Sequence, residues 1–216
     1  FQDAVRFDRL ALAVIDEQHR FGVNERSRLQ AKGDPRVGGV HLLTMSATPI
    51  PRTLELTQYG ELEVSRLMEK PPGRTPISTA VLPLARIGEV AQRLKAAVES
   101  GAQAYWICPL VAESEVSDLA AAEERARDLR RILNIEVGLA HGQMPGAERE
   151  AVMADFSDGR LSVLVATTVV EVGVDVPNAT IMVIEHADRF GLAQLHQLRG
   201  RVGRGAKSSA CILLYG

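Results

Sequence analysis

Ile135-Glu-Val-Gly-Leu-Ala-His-Gly-Gln-Met-Pro-Gly-Ala-Glu-Arg-Glu-Ala-Val-Met-Ala-Asp-Phe-Ser-Asp-Gly-Arg-Leu-Ser-Val-Leu-Val-Ala166 decides the fold class. Ile135 to Leu139 reads as a strand and Leu161 to Ala166 as a second, apolar on nearly every residue. Strands that carry apolar side chains on both faces belong to parallel sheets covered by helices. Between them, Pro145 to Phe156 is a helical segment, opened by a proline that a first turn tolerates. Strand, helix and strand imply a right-handed crossover between parallel neighbours.

The same alternation extends both ways. Ile87, Val90, Leu94 and Val98 recur at spacings of three and four, a helix stopped by Gly101. Ala104 to Cys108 reads as a strand, and Val116 to Ile132 as an amphipathic helix with Glu123, Glu124 and Arg127 on its wet side. Strands are expected at Ile181 to Glu185 and Cys211 to Tyr215, with a helix at Gly191 to Arg199. Upstream, Leu10-Ala-Leu-Ala-Val-Ile15 and Val40 to Met45 read as strands, and Thr53 to Tyr59 as a short helix.

Lys70-Pro-Pro-Gly-Arg-Thr-Pro76 continues neither a helix nor an inner strand. It is read as a linker at 71–76, between a 1–70 unit with too few elements to close a core and a complete α/β unit at 77–216. The chain opens at Phe1 and is read as a fragment of something longer.

Composition narrows the function. Lys plus Arg number 25 against 27 for Asp plus Glu, so nucleic-acid contact must come from local charge. Two cysteines, each inside an apolar run, exclude a disulfide scaffold and a cysteine zinc site, and suit a reducing cytosol. The apolar runs fall far short of the roughly 20 residues of a membrane span.

Asp16-Glu17-Gln18-His19 ends the first strand, at the sheet edge where ligands of open parallel sheets bind. An Asp there suits Mg²⁺ beside phosphates, and an adjacent Glu suits activation of a water; acids at a helix start would also complement its dipole. Ser46-Ala-Thr48 reads by itself as an N-cap. Thr167 and Thr168 begin a loop whose hydroxyls and amides suit phosphate oxygens, whose Gly173 permits close approach and whose Asp175 accepts from ribose hydroxyls. His141-Gly142 forms a turn that fits a phosphodiester backbone, although a lone loop histidine is more often plain surface.

Between Arg189 and Lys207 lie Arg199, Arg201 and Arg204 and no acid. Guanidinium forks there suit phosphate and the charge of a phosphoryl transition state. Gly200 and Gly205 have the spacing of a phosphate loop, but Ala206 stands where its Lys must be, and the segment precedes a strand. Nowhere does the sequence carry a phosphate loop. Trp106, within a strand, is read as core.

Taken in order, Asp16 to His19, Ser46 to Thr48, Thr167 to Asp175 and Gln197 to Arg204 resemble the superfamily 2 helicases. The RecG-type branch fits best, through Ile15-Asp-Glu-Gln-His-Arg-Phe-Gly-Val23, Met45-Ser-Ala-Thr-Pro-Ile-Pro-Arg-Thr53, Tyr105-Trp-Ile-Cys-Pro-Leu110, His141-Gly-Gln-Met144 and His196-Gln-Leu-Arg-Gly-Arg-Val-Gly-Arg204. Gln18 stands where the related transcription-repair coupling translocases usually have Glu. The resemblance implies an α/β fold: a RecA-like helicase domain 2 preceded by the C-terminal part of a truncated domain 1. It implies ATP hydrolysed between the two, with Mg²⁺ on Asp16 and Asp16, Glu17, Arg201 and Arg204 catalytic. Gln18, His19, Gly173, Asp175 and Gln197 would contact the nucleotide. Ser46, Thr48, His141, Gly142, Thr167 and Thr168 would contact or couple to nucleic acid. The implied partners are branched double-stranded and single-stranded DNA, in the bacterial cytoplasm, for a protein expected to be a monomer. Lacking a phosphate loop, this stretch is expected to be inactive alone. A transcription-repair coupling translocase, an RNA helicase of the superfamily and a non-catalytic nucleic-acid-binding module are the alternatives.

Overall fold

The computed structural model describes residues 4–17, 22–33, 39–46, 63–69, 73–109, 115–167, 176–205 and 207–216. It divides into two compact units, Phe1–Ser65 and Arg66–Gly216. The helix expected near Thr53 lies outside the described residues.

In the first unit, β1 (Leu12–Ile15) pairs in parallel with β2 (His41–Thr44), and α1 (Val23–Gln30) connects them. Alternation puts Ala13 and Ile15 on the face that meets Leu29 of α1, with Leu10, Val40 and Leu42 around them. Leu12, Val14 and Leu43 point the other way and are about half exposed. At the start of α1 the Glu25 carboxylate accepts the Gly22 N–H at 2.6 Å, satisfying a donor that the helix leaves open.

The second unit is a six-stranded parallel sheet: β3 (Ile77–Pro83), β4 (Gln103–Cys108), β5 (Val137–Ala140), β6 (Val163–Thr167), β7 (Ala179–Ile184) and β8 (Ser209–Tyr215). Its spatial order is β3-β8-β7-β4-β6-β5. Among the described residues the unit has four α-helices: α2 (Ile87–Glu99), α3 (Glu115–Leu133), α4 (Gly146–Ser157) and α5 (Leu192–Arg199).

The side-chain period of two sorts β4 between two cores. Ala104, Trp106 and Cys108 pack with Val90 and Leu94 of α2 and Ala126 and Leu129 of α3. Tyr105 and Ile107 pack with Met153 and Phe156 of α4 and, at its margin, Leu195 and Leu198 of α5. Helices on both faces bury β4 and β6 at every residue, which explains their unbroken apolar runs. Fully burying a large apolar side chain contributes about 1.5–3 kcal/mol, so Trp106, Tyr105, Phe156 and Ile107 anchor the sheet at its middle.

The expected alternation is present, with corrections at β3 and β5 and two-residue shifts in the starts of β6, β7 and β8. Ile77–Pro83 is a strand, although the sequence reading begins the unit with the helix at Ile87. It lies at the sheet edge, mostly exposed on both faces, so no burial pattern marks it. β5 starts two residues later than expected, because Asn134 takes a left-handed turn (φ 56°) and Ile135–Glu136 lead into the strand.

Candidate functional site

All six strands run one way, so the sheet has a carboxyl edge, where the strands end, and an amino edge, where they begin. The expected site residues of this unit divide between the two.

At the carboxyl edge, Thr167 closes β6 opposite Cys108 of β4. On its other side Ala140 pairs with Ala166, so His141 leaves β5 alongside Thr167. Thr167 is buried, His141 half-buried and Gly142 exposed. The Met144 N–H donates to the His141 carbonyl at 3.2 Å, shaping the turn that enters α4 behind Pro145. The His141 Nδ1 is a buried atom with no hydrogen-bond partner among the described residues. Thr168 lies outside the described residues.

At the amino edge, α5 ends at Gly200, and Arg201 and Arg204 stand on the segment leading into β8. Both arginines are half-buried, and between them Val202 is almost fully buried. Gly203 has φ +75°, and a Cβ on it would meet Ile77 Cγ1 of β3 at 2.9 Å. A Cβ on Gly205 would lie 3.0 Å from the Pro177 carbonyl oxygen. Glycine is therefore required by backbone angle at one position and by close approach at the other. The contact with Pro177 sets the arginine segment against the stretch that leads into β7; Gly173 and Asp175 lie outside the described residues. Gln197 is half-buried on α5. The segment runs from helix to strand, opposite to a phosphate loop.

In the first unit Asp16 and Glu17 follow β1 at its carboxyl end. The Asp16 Oδ1 accepts the Glu17 N–H at 2.8 Å, and Glu17 has φ +49°, a strained angle for a residue with a side chain. The Met45 N–H donates to the Ile15 carbonyl at 2.7 Å, so Ser46 emerges from β2 beside the acidic pair. Asp16 is exposed and Glu17 half-buried. An exposed Asp at a strand end fits Mg²⁺, which takes one or two carboxylates and completes its shell with waters and phosphate oxygens. Gln18, His19 and Thr48 lie outside the described residues.

One cluster escaped the sequence reading. Glu185, directly after β7, is 6% exposed and accepts hydrogen bonds from Trp106 Nε1 and from Arg125 of α3. Cys108 Sγ lies 3.8 Å from the same carboxylate, and burial followed by the Glu185 charge pushes its thiol pKa upward. The available signal was an acid ending an apolar run. Its partners are 60 and 79 residues away, beyond any local pattern. Trp106 is fully buried, as read.

Residues 89–206 match the family described as the helicase conserved C-terminal domain. Over the whole chain the sequence is 56% identical to an ATP-dependent DNA helicase RecG from Acidithiobacillus ferridurans, and 54% identical to the protein of that name from Escherichia coli strain K12. The chain spans 31% of the length of either relative. A solved structure of RecG bound to a three-way DNA junction covers 99% of this chain at 42% identity and a TM-score of 0.73, the chain covering 27% of that one. The Mycobacterium smegmatis helicase Lhr, bound to single-stranded DNA and AMP-PNP, shares the fold at 20% identity and a TM-score of 0.66, over 95% of this chain and 28% of Lhr.

Proposed function

The chain belongs to the helicase conserved C-terminal domain family, and from that premise we propose that it is the part of an ATP-dependent DNA helicase that completes the ATP site and grips the nucleic-acid backbone. Its substrate is branched DNA, a stalled fork or a Holliday junction, together with the single strands such structures expose. The likeness to a RecG that binds a three-way DNA junction supports this choice over an RNA substrate.

The observation that carries the proposal is the division between the edges of the six-stranded sheet. The Arg201–Gly205 segment is held at the amino edge against Pro177, while the His141 turn and Thr167 stand at the opposite edge. Arg201 and Arg204 neutralise charge that develops during phosphoryl transfer, and Gly173, Asp175 and Gln197 hold the nucleotide. The carboxyl edge, with Thr168 beyond Thr167, meets phosphates of the nucleic acid, which need no base reading. An arginine in this role is worth roughly 10³–10⁵ in rate, or about 4–7 kcal/mol of barrier. Thus movement of the arginines can gate hydrolysis.

On the first unit, Asp16 holds Mg²⁺ and Glu17 accepts the proton of the attacking water, with Gln18 and His19 beside the nucleotide. Bound there, Mg²⁺ offsets the negative charge of the triphosphate. Ser46, leaving the neighbouring strand, and Thr48 couple the acidic pair to nucleic acid. We place the protein in the bacterial cytoplasm, working as a monomer.

In the full-length protein carrying this sequence, fork DNA is expected to stimulate ATP hydrolysis more than linear duplex does, and RNA hardly at all; equal stimulation by RNA would overturn the substrate assignment. Glu17→Gln should lower stimulated turnover by about 10²–10⁴-fold, the usual contribution of a general base, and leave fork binding intact. The 216-residue chain by itself should show no hydrolysis, and turnover in that chain would remove the phosphate loop from the mechanism.

A further inference from the structure

The helix α5, which carries the chain to Arg201 and Arg204, has only eight residues and buries none of them completely. A helix that short is marginal in isolation, so its placement is imposed by its two ends together with Leu195 and Leu198, which pack at the margin of the core. Val202, Gly203 and Gly205 fix the far end. The near end is the corner where the chain leaves β7, and that corner is built around Glu185.

The Glu185 N–H donates to the Ile107 carbonyl of β4 at 3.0 Å. Its Oε1 accepts from Trp106 Nε1 and Arg125 Nε, and its Oε2 accepts from Arg125 Nη2 at 3.2 Å. The Arg125 guanidinium also lies 6.0 Å from the centre of the Trp106 ring. A single carboxylate thus joins strand β4, helix α3 and the corner. The next residue, His186, has φ +46°, a left-handed angle that a side chain adopts only when its surroundings impose it. A 3-10 turn at Ala187–Arg189 follows, closed by the Arg189 N–H on the His186 carbonyl at 2.9 Å. Phe190 then enters the core, and the Gly191 carbonyl accepts the first helical bond of α5, from Leu195. From the Glu185 carboxylate to the first turn of α5 every step is fixed by a hydrogen bond, a constrained angle or a buried ring. The helix adds about 12 Å before Arg201.

We propose that Glu185 is a positioning residue for the arginines: held by Arg125 and Trp106, it sets where α5 begins and so where Arg201 and Arg204 stand. The inference rests on the proposed role of those arginines in hydrolysis. Preorganised charge loses rate steeply with displacement, a 1 Å error costing up to about 10²-fold. A carboxylate remote from the ATP thus acts on turnover without touching it.

The test is the stimulated ATPase of the full-length protein with Glu185→Ala, Glu185→Gln, Arg204→Ala and the Glu185→Ala/Arg204→Ala double variant. Glu185→Ala is expected to lower kcat about 10- to 10²-fold with KM for ATP little changed. Glu185→Gln, which keeps an oxygen acceptor, should recover part of that loss. The double variant should lose less than the product of the two single losses, because an absent Arg204 cannot also be misplaced and only Arg201 remains to be displaced. Two losses that multiply, or full kcat in Glu185→Ala, overturn the proposal. If Glu185→Ala does not fold, Glu185→Gln carries the test, its fold read from far-ultraviolet circular dichroism and cooperative thermal unfolding. Wild-type kcat in a folded Glu185→Gln then overturns it equally. Wild-type turnover in Arg204→Ala would remove the arginine role and this inference together, whereas a collapse in Arg204→Ala beside unaffected Glu185 variants would remove this inference alone.

Discussion

At the carboxyl edge of the six-stranded sheet the chain leaves β5 through a turn that is half-buried at His141 and exposed at Gly142 and Gln143, where the Met144 N–H donates to the His141 carbonyl. At the amino edge the Arg201–Gly205 segment is clamped: Val202 is buried and two glycines stand where no Cβ fits without displacing a neighbour. The difference matches the work proposed for each. Sequence-independent contact with a phosphodiester backbone tolerates a turn that adjusts. Stabilising a transition state requires charges already in place. A single sheet thus offers an adaptable turn at one edge and a clamped segment at the other, separated by the length of its strands.

The sharpest way to break that comparison is Arg204→Ala in the full-length protein. We expect stimulated turnover to fall by at least about 10³-fold while fork affinity, measured by titration at fixed salt, stays unchanged. Were fork affinity to fall with turnover, the edges would not be separate in function.

The clamp itself can be tested next, by thermal unfolding. Gly205→Val must displace the Pro177 carbonyl, and overpacking of this kind costs about 1–3 kcal/mol. In a unit of this size each kcal/mol shifts Tm by about 2–4 °C. Gly200→Ala makes a smaller change in the same segment, where the nearest atoms would lie at 3.4 Å and φ is −68°. It should be neutral within about 0.5 kcal/mol. Equal losses in the two variants would show the segment to be generally intolerant rather than clamped at Gly205.

A smaller effect is expected on the adaptable side. His141→Ala should weaken fork binding about fivefold, the worth of roughly 1 kcal/mol of hydrogen bonding, and leave turnover without DNA as it was. A loss of unstimulated turnover would place His141 with the rigid edge instead.

Some of this was legible in the sequence for definite reasons. β4, β6 and β7 are buried on both faces, so their residues are apolar without alternation and stand out from the polar helices between them. The arginine segment was legible because phosphate chemistry admits few residue types and the absence of acids there is visible in the letters. β3 was not, because an edge strand exposed on both faces has no burial to enforce a pattern; Ser78, Thr79 and Ala80 serve it adequately. The starts of β7 and β8 were placed two residues late for a related reason: Ala179, Thr180 and Ser209 are buried, but small or polar. Nor could composition show that the arginines stand at the edge opposite His141. That follows from α5 returning the chain across the sheet before β8.

The smallest effect also lies at the carboxyl edge, where the corner before α5 is tied to the end of β8. The Asp188 Oδ1 accepts the Gly216 N–H at 3.1 Å, and that backbone donor, more than any charge nearby, holds the carboxyl below its ordinary range. The unfolded chain lacks the bond, so its Asp188 titrates in the ordinary carboxylate range. A depressed folded value contributes stability that is present above the unfolded pKa and lost as pH falls through the folded one. Asp188→Asn keeps an oxygen acceptor and removes the titration. In Tm measured from pH 6 to pH 2.5, wild type should exceed the variant slightly at pH 6 and lose that margin below about pH 4. Asp188 is exposed, so solvent screens its charge and the margin is small. A margin that instead grew as pH fell would mean that the carboxyl is favoured in its protonated form, and that the corner is tied to β8 by an interaction other than the Gly216 amide.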